Sequence, residues 1–156
     1  MQNTQTRKSQ ALTDLILETF SLNGALLAAG DELVRDIGLT SARWQVLGAI
    51  ALEQRPLTVA QIARRMGLSR QAVQRVVNEL EVAGVLEFSD NPDHKRARLV
   101  SMTNKGERAY AKADERQTDW AQGLAAEASQ QDILTAVGVL RSVNQRLSAG
   151  MDVQGA

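Results

Sequence analysis

The sequence predicts a mainly α-helical protein with one small β-hairpin, and three observations lead to this fold class. Aromatic residues make up only 3% of the chain, so the core must consist mostly of leucine, valine, isoleucine and alanine. That composition favours helices over a β-sandwich. Apolar residues recur at three- and four-residue steps through most of the chain, as they do on one face of a helix. The pattern changes to strand-like alternation only within residues 85–102.

Both ends of the chain are predicted to form long helices. Residues 11–37 carry an apolar stripe at helical spacing, and Gly38 follows as a C-terminal stop. Thr103 is a helix cap, after which the pattern predicts one helix over 104–126 and another over 130–148.

The apolar stripes of these terminal helices are too wide for the small middle lobe to cover. We therefore expect residues 11–38 and 104–148 to be dimerisation helices that pair with a second copy of the chain, giving a two-fold homodimer. The alternative is a monomer whose terminal helices pack only on each other. In either case the length suits a single domain over 1–156.

Residues 40–103 are predicted to form a compact lobe of three short helices followed by a hairpin. Thr58 begins the second helix, 59–66, with a capping-box pattern, and Gly67 makes the turn to the third. Ser69 caps that third helix, whose valines form a buried stripe. Helix, tight turn, helix and hairpin in this order predict a winged helix-turn-helix lobe.

The outward face of the third helix suits contact with DNA. With the valines inward, its arginine, glutamine and asparagine side chains point away from the core, and these types can make bidentate contacts with base edges. The hairpin adds a basic tip, and hydroxyls at the two helix starts can take phosphate oxygens. The predicted DNA-binding residues are Thr58, Ser69, Arg70, Gln71, Gln74, Arg75, Asn78, His94, Lys95, Arg96 and Arg98.

Each of these features has a plainer interpretation when it is taken alone. An exposed arginine and glutamine face is usually only solvated, and a basic turn usually serves solubility. The formal net charge is zero, but residues 55–98 hold eight basic against five acidic side chains. The combination favours double-stranded DNA as the partner. The competing interpretation is a winged helix used as a protein–protein interaction module without sequence-specific DNA binding.

The segment resembles the MarR family of bacterial transcription regulators. The resemblance runs from about residue 11 to 148 and rests on IARRMGLSRQAVQRVVNELEVAGVLEF and on LVSMTNKG, where the family signature LTxKG appears as MTNKG. It implies an obligate dimer on a pseudo-palindromic operator, usually a repressor released by a small ligand, often an aromatic acid. By the same resemblance the matching recognition-helix contacts are Ser69, Arg70, Gln71, Gln74 and Arg75, and the matching wing-tip arginine is Arg96.

Two positions depart from the family pattern. The wing usually has Asp-x-Arg, and here His94 stands at the Asp position; the position after Glu87 is often Arg and is Phe88 here. The resemblance therefore does not carry the family's internal wing salt bridge over to this chain. His94 can titrate near neutral pH and so modulate DNA affinity, although an ordinary exposed wing residue is the simpler interpretation.

The resemblance also implies an effector pocket between the dimer helices and the lobe. Trp44, Phe20 and Tyr110 are the candidate lining residues, although a lone aromatic is more often part of the core. The absence of cysteine excludes thiol-based sensing by this chain, and a single histidine excludes a histidine-rich metal site within it.

Catalysis is not expected, since the carboxylates are scattered along solvated helix faces. No Gly-rich phosphate loop, nucleophile elbow or metal-ligand spacing occurs, so neither a catalytic site nor a cofactor is predicted. The polar N-terminus lacks the apolar core of a signal peptide, and we expect that no apolar run approaches membrane-spanning length. A cytoplasmic protein without a membrane partner is therefore expected.

Overall fold

The computed structural model of the chain describes residues 2–153, with side chains over 6–150. The fold is mainly α-helical with a small antiparallel sheet, so the predicted fold class is confirmed. In chain order the elements are α1 Gln2–Val34, a 3-10 turn Arg35–Ile37, α2 Ser41–Glu53, β1 Leu57–Thr58, α3 Val59–Met66, α4 Arg70–Val82, β2 Leu86–Ser89, β3 Leu99–Met102, α5 Asn104–Ala125 and α6 Gln130–Val153.

The described residues form two compact units that meet between Arg116 and Gln117. The first unit holds α1 to α4, the sheet and the first half of α5. The second holds the remainder of α5 and all of α6. The predicted single domain over 1–156, with a lobe at 40–103 flanked by dimerisation helices, stays a prediction.

The helix starts inside the lobe follow the predicted caps. Thr58 accepts a hydrogen bond from the Gln61 amide in a complete capping box, and α3 spans the predicted residues. Gly67 follows it with a φ of 65°, a left-handed conformation that glycine adopts without strain. Ser69 then accepts from the Ala72 amide at 3.2 Å and begins α4. These local signals place the helix-turn-helix where the sequence predicted it.

The terminal helices are longer than predicted. Helix α1 begins at Gln2 rather than near residue 11, and α6 continues to Val153 rather than ending near 148. Both extensions are polar or weakly apolar, so hydrophobic spacing did not mark them. Gly38, at a φ of 77°, ends the 3-10 turn that follows α1, as expected for a stop signal.

The predicted hairpin is one part of a three-stranded sheet in the order β1-β3-β2. Strands β2 and β3 pair antiparallel, with Leu86 opposite Met102. The missed strand, β1, has only two residues and pairs Leu57 with Val100. Such a short strand has no sequence period of its own and exists only because β3 lies beside it.

The core of the first unit lies between α2, α3, α4 and the sheet. The predicted stripe of α4 is confirmed, because Val73, Val76, Val77 and Leu80 are all buried. Trp44 was expected to face inward but is only partly buried, packed against the edge of this core. The other buried apolar side chains include Val46, Leu47, Ile50, Leu57, Ile62, Leu86 and Val100.

Helix α1 contradicts one sequence expectation. The segment Thr6–Ile37 is long and apolar enough to cross a membrane by length and composition, since an 18-residue window within it reaches a mean hydropathy of 1.2. The expectation was based on unbroken apolar runs. This segment reaches its hydropathy because leucines are mixed with alanines, glycines and only a few charged residues. Length and composition alone do not distinguish such a helix from the core helix of a soluble protein.

Candidate nucleic-acid interface

Helix α4 presents the polar face that the sequence predicted. Burial of its valine stripe fixes the rotation of the helix about its axis. Arginine, glutamine and asparagine side chains consequently lie on the opposite, solvent-exposed side. All five predicted residues of this face are exposed: Arg70, Gln71, Gln74, Arg75 and Asn78.

The charges on α4 favour an anionic partner. Arg70 and Arg75 form no ion pair with any acidic side chain that the structure describes. Glu79, one turn further along the helix, is paired with Arg43 of α2 at 3.2 Å. The arginines nearest the helix start are therefore free to contact a ligand, while this carboxylate is partly neutralised.

Two polar side chains on α4 are already joined. The Gln74 Nε2 donates to the Asn78 Oδ1 at 2.7 Å, a one-turn spacing that brings side chains together on a helix. The bond holds both amides in place on the outward face. The remaining polar atoms of this pair are exposed and available to base edges.

The two helix-start hydroxyls differ in what they can offer a phosphate. The Thr58 hydroxyl donates to the Gln61 Oε1 at 3.1 Å and accepts from the Gln61 amide at 3.2 Å. The exposed Ser69 hydroxyl accepts from the Ala72 amide, and among the described residues its hydrogen has no acceptor. Ser69 can thus donate to a phosphate oxygen, whereas the Thr58 hydroxyl would first have to give up its bond to the Gln61 Oε1.

A buried asparagine organises the wing, which comprises residues 89–98 between β2 and β3. The Asn91 Nδ2 donates to the Ala97 carbonyl at 2.8 Å, and its Oδ1 accepts from the Asp93 amide at 3.0 Å. The sequence analysis missed this residue. Its signal was the Asn-Pro-Asp run, since asparagine commonly bonds the backbone two residues on in such turns.

The basic tip of the wing is a tight turn. The Ala97 amide donates to the His94 carbonyl at 2.9 Å, which closes a four-residue turn. Lys95 and Arg96 occupy its two central positions, and both side chains are exposed. The turn therefore presents two of the predicted wing cations, Lys95 and Arg96, to solvent.

Arg98 occupies a different position from the other predicted wing residues. Its guanidinium lies 4.7 Å from the centroid of the Phe88 ring, and its Nη2 donates to the Phe88 carbonyl at 3.1 Å. None of the described ion pairs lies within residues 89–98. Phe88, the position that departs from the family pattern, thus takes part in a cation–π brace across the hairpin.

The three aromatic candidates for a ligand site are not all brought together. Trp44 lies beside Gly30, and Tyr110 lies beside Gly48, one turn along α2 from Trp44. Phe20 is 71% exposed and lies ten residues before Gly30, about 15 Å along α1. Trp44 and Tyr110 therefore share one side of α2, and Phe20 stands apart.

Tyr110 is the only one of these aromatics that titrates. Burial raises the pKa of its phenol, and the charge of Asp114 raises it further. The ring therefore stays protonated at neutral pH and offers a hydroxyl donor. Among the described residues no group of three acidic or histidine side chains is placed to hold a metal ion.

Comparison with known proteins places the chain in a family. A model of the MarR family matches residues 37–97, which span the lobe from the end of the 3-10 turn to the wing. A protein of Mycobacterium tuberculosis without an assigned function is 41% identical over 108 residues, which are 69% of this chain and 74% of that protein. The HTH-type transcriptional regulator TcaR of Staphylococcus aureus is 31% identical over 137 residues, 84% of this chain and 88% of the regulator.

Solved structures share the fold at lower identity. A mutant MarR of Escherichia coli complexed with operator DNA superposes with a TM-score of 0.74 at 21% identity, covering 85% of this chain and 95% of the other. A Staphylococcus aureus MarR in complex with salicylate and kanamycin gives 0.72 at 17% identity, covering 96% and 97%. The sequence relationship to TcaR, together with the matched family model, makes the chain a member of the MarR family of transcriptional regulators.

Proposed function

We propose that the protein is a homodimeric repressor that binds a pseudo-palindromic DNA operator and is released by a small aromatic acid. The observation that carries the proposal is the outward face of α4, where exposed side chains of types that can contact bases surround two arginines without acidic partners among the described residues. The wing turn adds two further exposed cations on the same lobe. A carboxylate-rich or uncharged face would not have suited DNA.

The proposed contacts divide by what they can recognise. The start of α4 enters the major groove, and Ser69 meets a phosphate there. The side chains that meet base edges are Arg70, Gln71, Gln74 and Arg75. Lys95 and Arg96 reach the adjacent minor groove or backbone. Arg98 supports this tip from behind through Phe88, and any contact of its own with DNA is secondary.

Homodimer formation is proposed from the apolar faces of the terminal helices. Exposed leucines, isoleucines and a phenylalanine follow α1 at helical spacing, and α6 carries a similar set of its own. A second copy of the chain is the occupant that also explains a pseudo-palindromic site, because two-fold protein symmetry matches two half-sites. The exposed side chains are Leu12, Ile16, Leu17, Phe20, Leu22, Leu26 and Leu27 on α1, and Ile133, Leu134, Val139, Leu140 and Leu147 on α6.

The effector proposal rests on the half-buried aromatics beside α2. Trp44 and Tyr110 offer a ring face and a phenolic donor, which suit an aromatic acid. Salicylate bound to the Staphylococcus aureus MarR supports this ligand class. We place the protein in the cytoplasm, without catalysis and without a membrane partner, and we assign the apolar face of α1 to the dimer rather than to lipid.

The proposal is tested first by selecting the purified protein against a random duplex library at several salt concentrations. We expect an inverted repeat whose half-sites lie about one helical turn apart. Arg70→Ala and Arg75→Ala should each weaken binding to that operator by about 1–3 kcal/mol and relax specificity at one position. Arg108→Ala, an exposed arginine on α5, serves as the control and should bind like the wild type. Full tolerance of both α4 variants would instead favour a protein–protein module.

Two further measurements test the dimer and the effector separately. Leu17→Arg should shift the mass by light scattering from dimer to monomer, whereas Glu18→Arg, a polar exposed position facing away from the apolar stripe of the same helix, should not. Salicylate added to the operator complex should release the wild type at lower concentration than Trp44→Ala. An unchanged mass for Leu17→Arg would remove α1 from the interface, and equal release would remove Trp44 from the site.

A further inference from the structure

A basic cleft lies between the end of α2 and one face of α3. None of the residues that line it was predicted to contact DNA. Its volume is about 380 Å³. The lining residues are Glu53, Arg55, Leu57, Gln61, Arg64 and Arg65. Three guanidinium groups thus face one carboxylate, so the cleft has an excess of positive charge.

The single carboxylate is shared between two of the arginines. Glu53 forms an ion pair with Arg65 and a second with Arg55, whose Nε lies 3.5 Å from the Glu53 Oε2. Arg64 has no acidic partner within the part of the chain that the structure describes. Planar guanidinium groups donate to phosphate oxygens in the same forked geometry as to carboxylate oxygens. Glu53 therefore occupies the position that a phosphate oxygen would take.

The cleft is continuous with the start of α3. Gln61 lines it and is also the capping partner of Thr58, whose backbone amide donates to the Gln61 Oε1 at 2.8 Å. Gln61, Arg64 and Arg65 are three and four residues apart and so share one face of α3. Arg64 and Arg65 lie in the last turn of α3, so the attraction of the cleft for an anion comes from the guanidinium charges and not from the helix dipole.

We infer that this cleft binds a backbone phosphate of the operator flank, and that Glu53 is an internal competitor that the phosphate displaces. The inference rests on the proposed DNA binding and extends it to a surface beyond α4 and the wing. The side chains of Glu53, Arg55 and Arg65 are partly exposed, and exposed ion pairs contribute little to stability, so exchanging the carboxylate for a phosphate costs little free energy. Glu53 then lowers affinity for DNA of any sequence, while base recognition by α4 is unaffected.

The test measures affinity against salt for Glu53→Gln on the selected operator and on an unrelated duplex. Removing the competing charge should tighten binding to both duplexes by about the same factor, three- to tenfold, because a phosphate contact carries no sequence information. Arg64→Ala should weaken both and reduce the slope of log affinity against log salt by about 0.9. Glu81→Gln, an exposed carboxylate on α4, gives the same charge change outside the cleft and sets the baseline.

The outcomes separate this inference from the proposed function. If the wild type binds its operator and Glu53→Gln and Arg64→Ala do not differ from the wild type beyond the Glu81→Gln baseline, the cleft inference is overturned and operator binding stands. If the wild type binds no duplex at any salt concentration, both fail. Inorganic phosphate provides a third arm. If it protects the wild type, but not Arg64→Ala, against thermal unfolding while the two proteins bind DNA equally well, the cleft is assigned to a free anion and the operator assignment is overturned. Arg64 is exposed and has no ion partner among the described residues, so Arg64→Ala should leave the fold intact.

Discussion

Replacing Asn91 with alanine should loosen the wing while the helices stay folded. The Asn91 side chain is about nine-tenths buried and bonds both arms of the wing loop, at the Ala97 carbonyl and at the Asp93 amide. The turn that presents Lys95 and Arg96 lies between these two points. Loss of the side chain removes both bonds and leaves the turn attached only through its own backbone.

The expected magnitude follows from the two bonds. A hydrogen bond of this kind contributes about 0.5–1.5 kcal/mol net, so the wing loses about 1–3 kcal/mol of local stability. Water can reach the freed groups in a surface loop, which favours the lower part of that range. If the wing must be ordered to contact DNA, this cost appears in binding, and about 1–2 kcal/mol corresponds to roughly a fivefold to thirtyfold loss of operator affinity.

Amide hydrogen exchange together with operator titration tests this expectation. The amides of Asp93 and Ala97 should exchange faster in Asn91→Ala, and the midpoint of thermal unfolding should change little. Asn91→Asp keeps the acceptor for Asp93 but loses the donor to Ala97, so it should fall between alanine and the wild type. Asp90→Ala, an exposed neighbour, is the control. Wild-type exchange in the alanine variant alongside weakened DNA binding would refute the argument that these bonds order the wing.

Two predictions concern the stability of the fold. A hydrogen bond from Arg116 lowers the pKa of Asp36, so the stability that this bond contributes is present above the ordinary carboxyl pKa of 3.8 and is lost as the pH falls through the lowered pKa. In urea unfolding, the difference in stability between the wild type and Asp36→Asn should close in acid, and a difference that stays constant would contradict this. Gly106→Ala puts a methyl group against the Val85 carbonyl and should lower the stability measured by thermal unfolding by about 1–3 kcal/mol. The methyl group of Gly123→Ala meets no atom within 4 Å, so this variant should stabilise α5 by about 0.5–1 kcal/mol, and equal effects of the two variants would refute the packing argument.

The helix-turn-helix was predictable because its signals are local. A capping box, a glycine turn and a second cap determine where α3 and α4 begin, and the valine period sets which side of α4 is buried. Strand β1 was not predictable in this way, because two residues adopt a strand only beside a partner more than forty positions away. The polar start of α1 was missed because it carries no apolar spacing.

Side-chain partners were less predictable than backbone elements. Arg98 was predicted to contact DNA from its place in a basic run, yet its partner is Phe88, ten residues away on the neighbouring strand. Arg64 lies in a similarly basic run and was not predicted as a contact, although it lines the cleft and pairs with none of the acidic side chains that the structure describes. Which arginine is engaged depends on contacts between elements, which composition does not encode.

The zero net charge of the chain therefore says little about its affinity for DNA. Within the lobe some arginines are engaged by the protein itself, and others are free of any described acidic partner. Ion pairs neutralise charge where helices meet, so the cations that remain are concentrated on α3, α4 and the wing turn. The effect of removing a charge on DNA affinity should depend on which side chains that charge contacts. We therefore expect Glu53→Gln and Glu81→Gln to differ in DNA affinity. The engaged arginines are Arg43, Arg55, Arg65 and Arg98, and the free ones are Arg64, Arg70, Arg75 and Arg96.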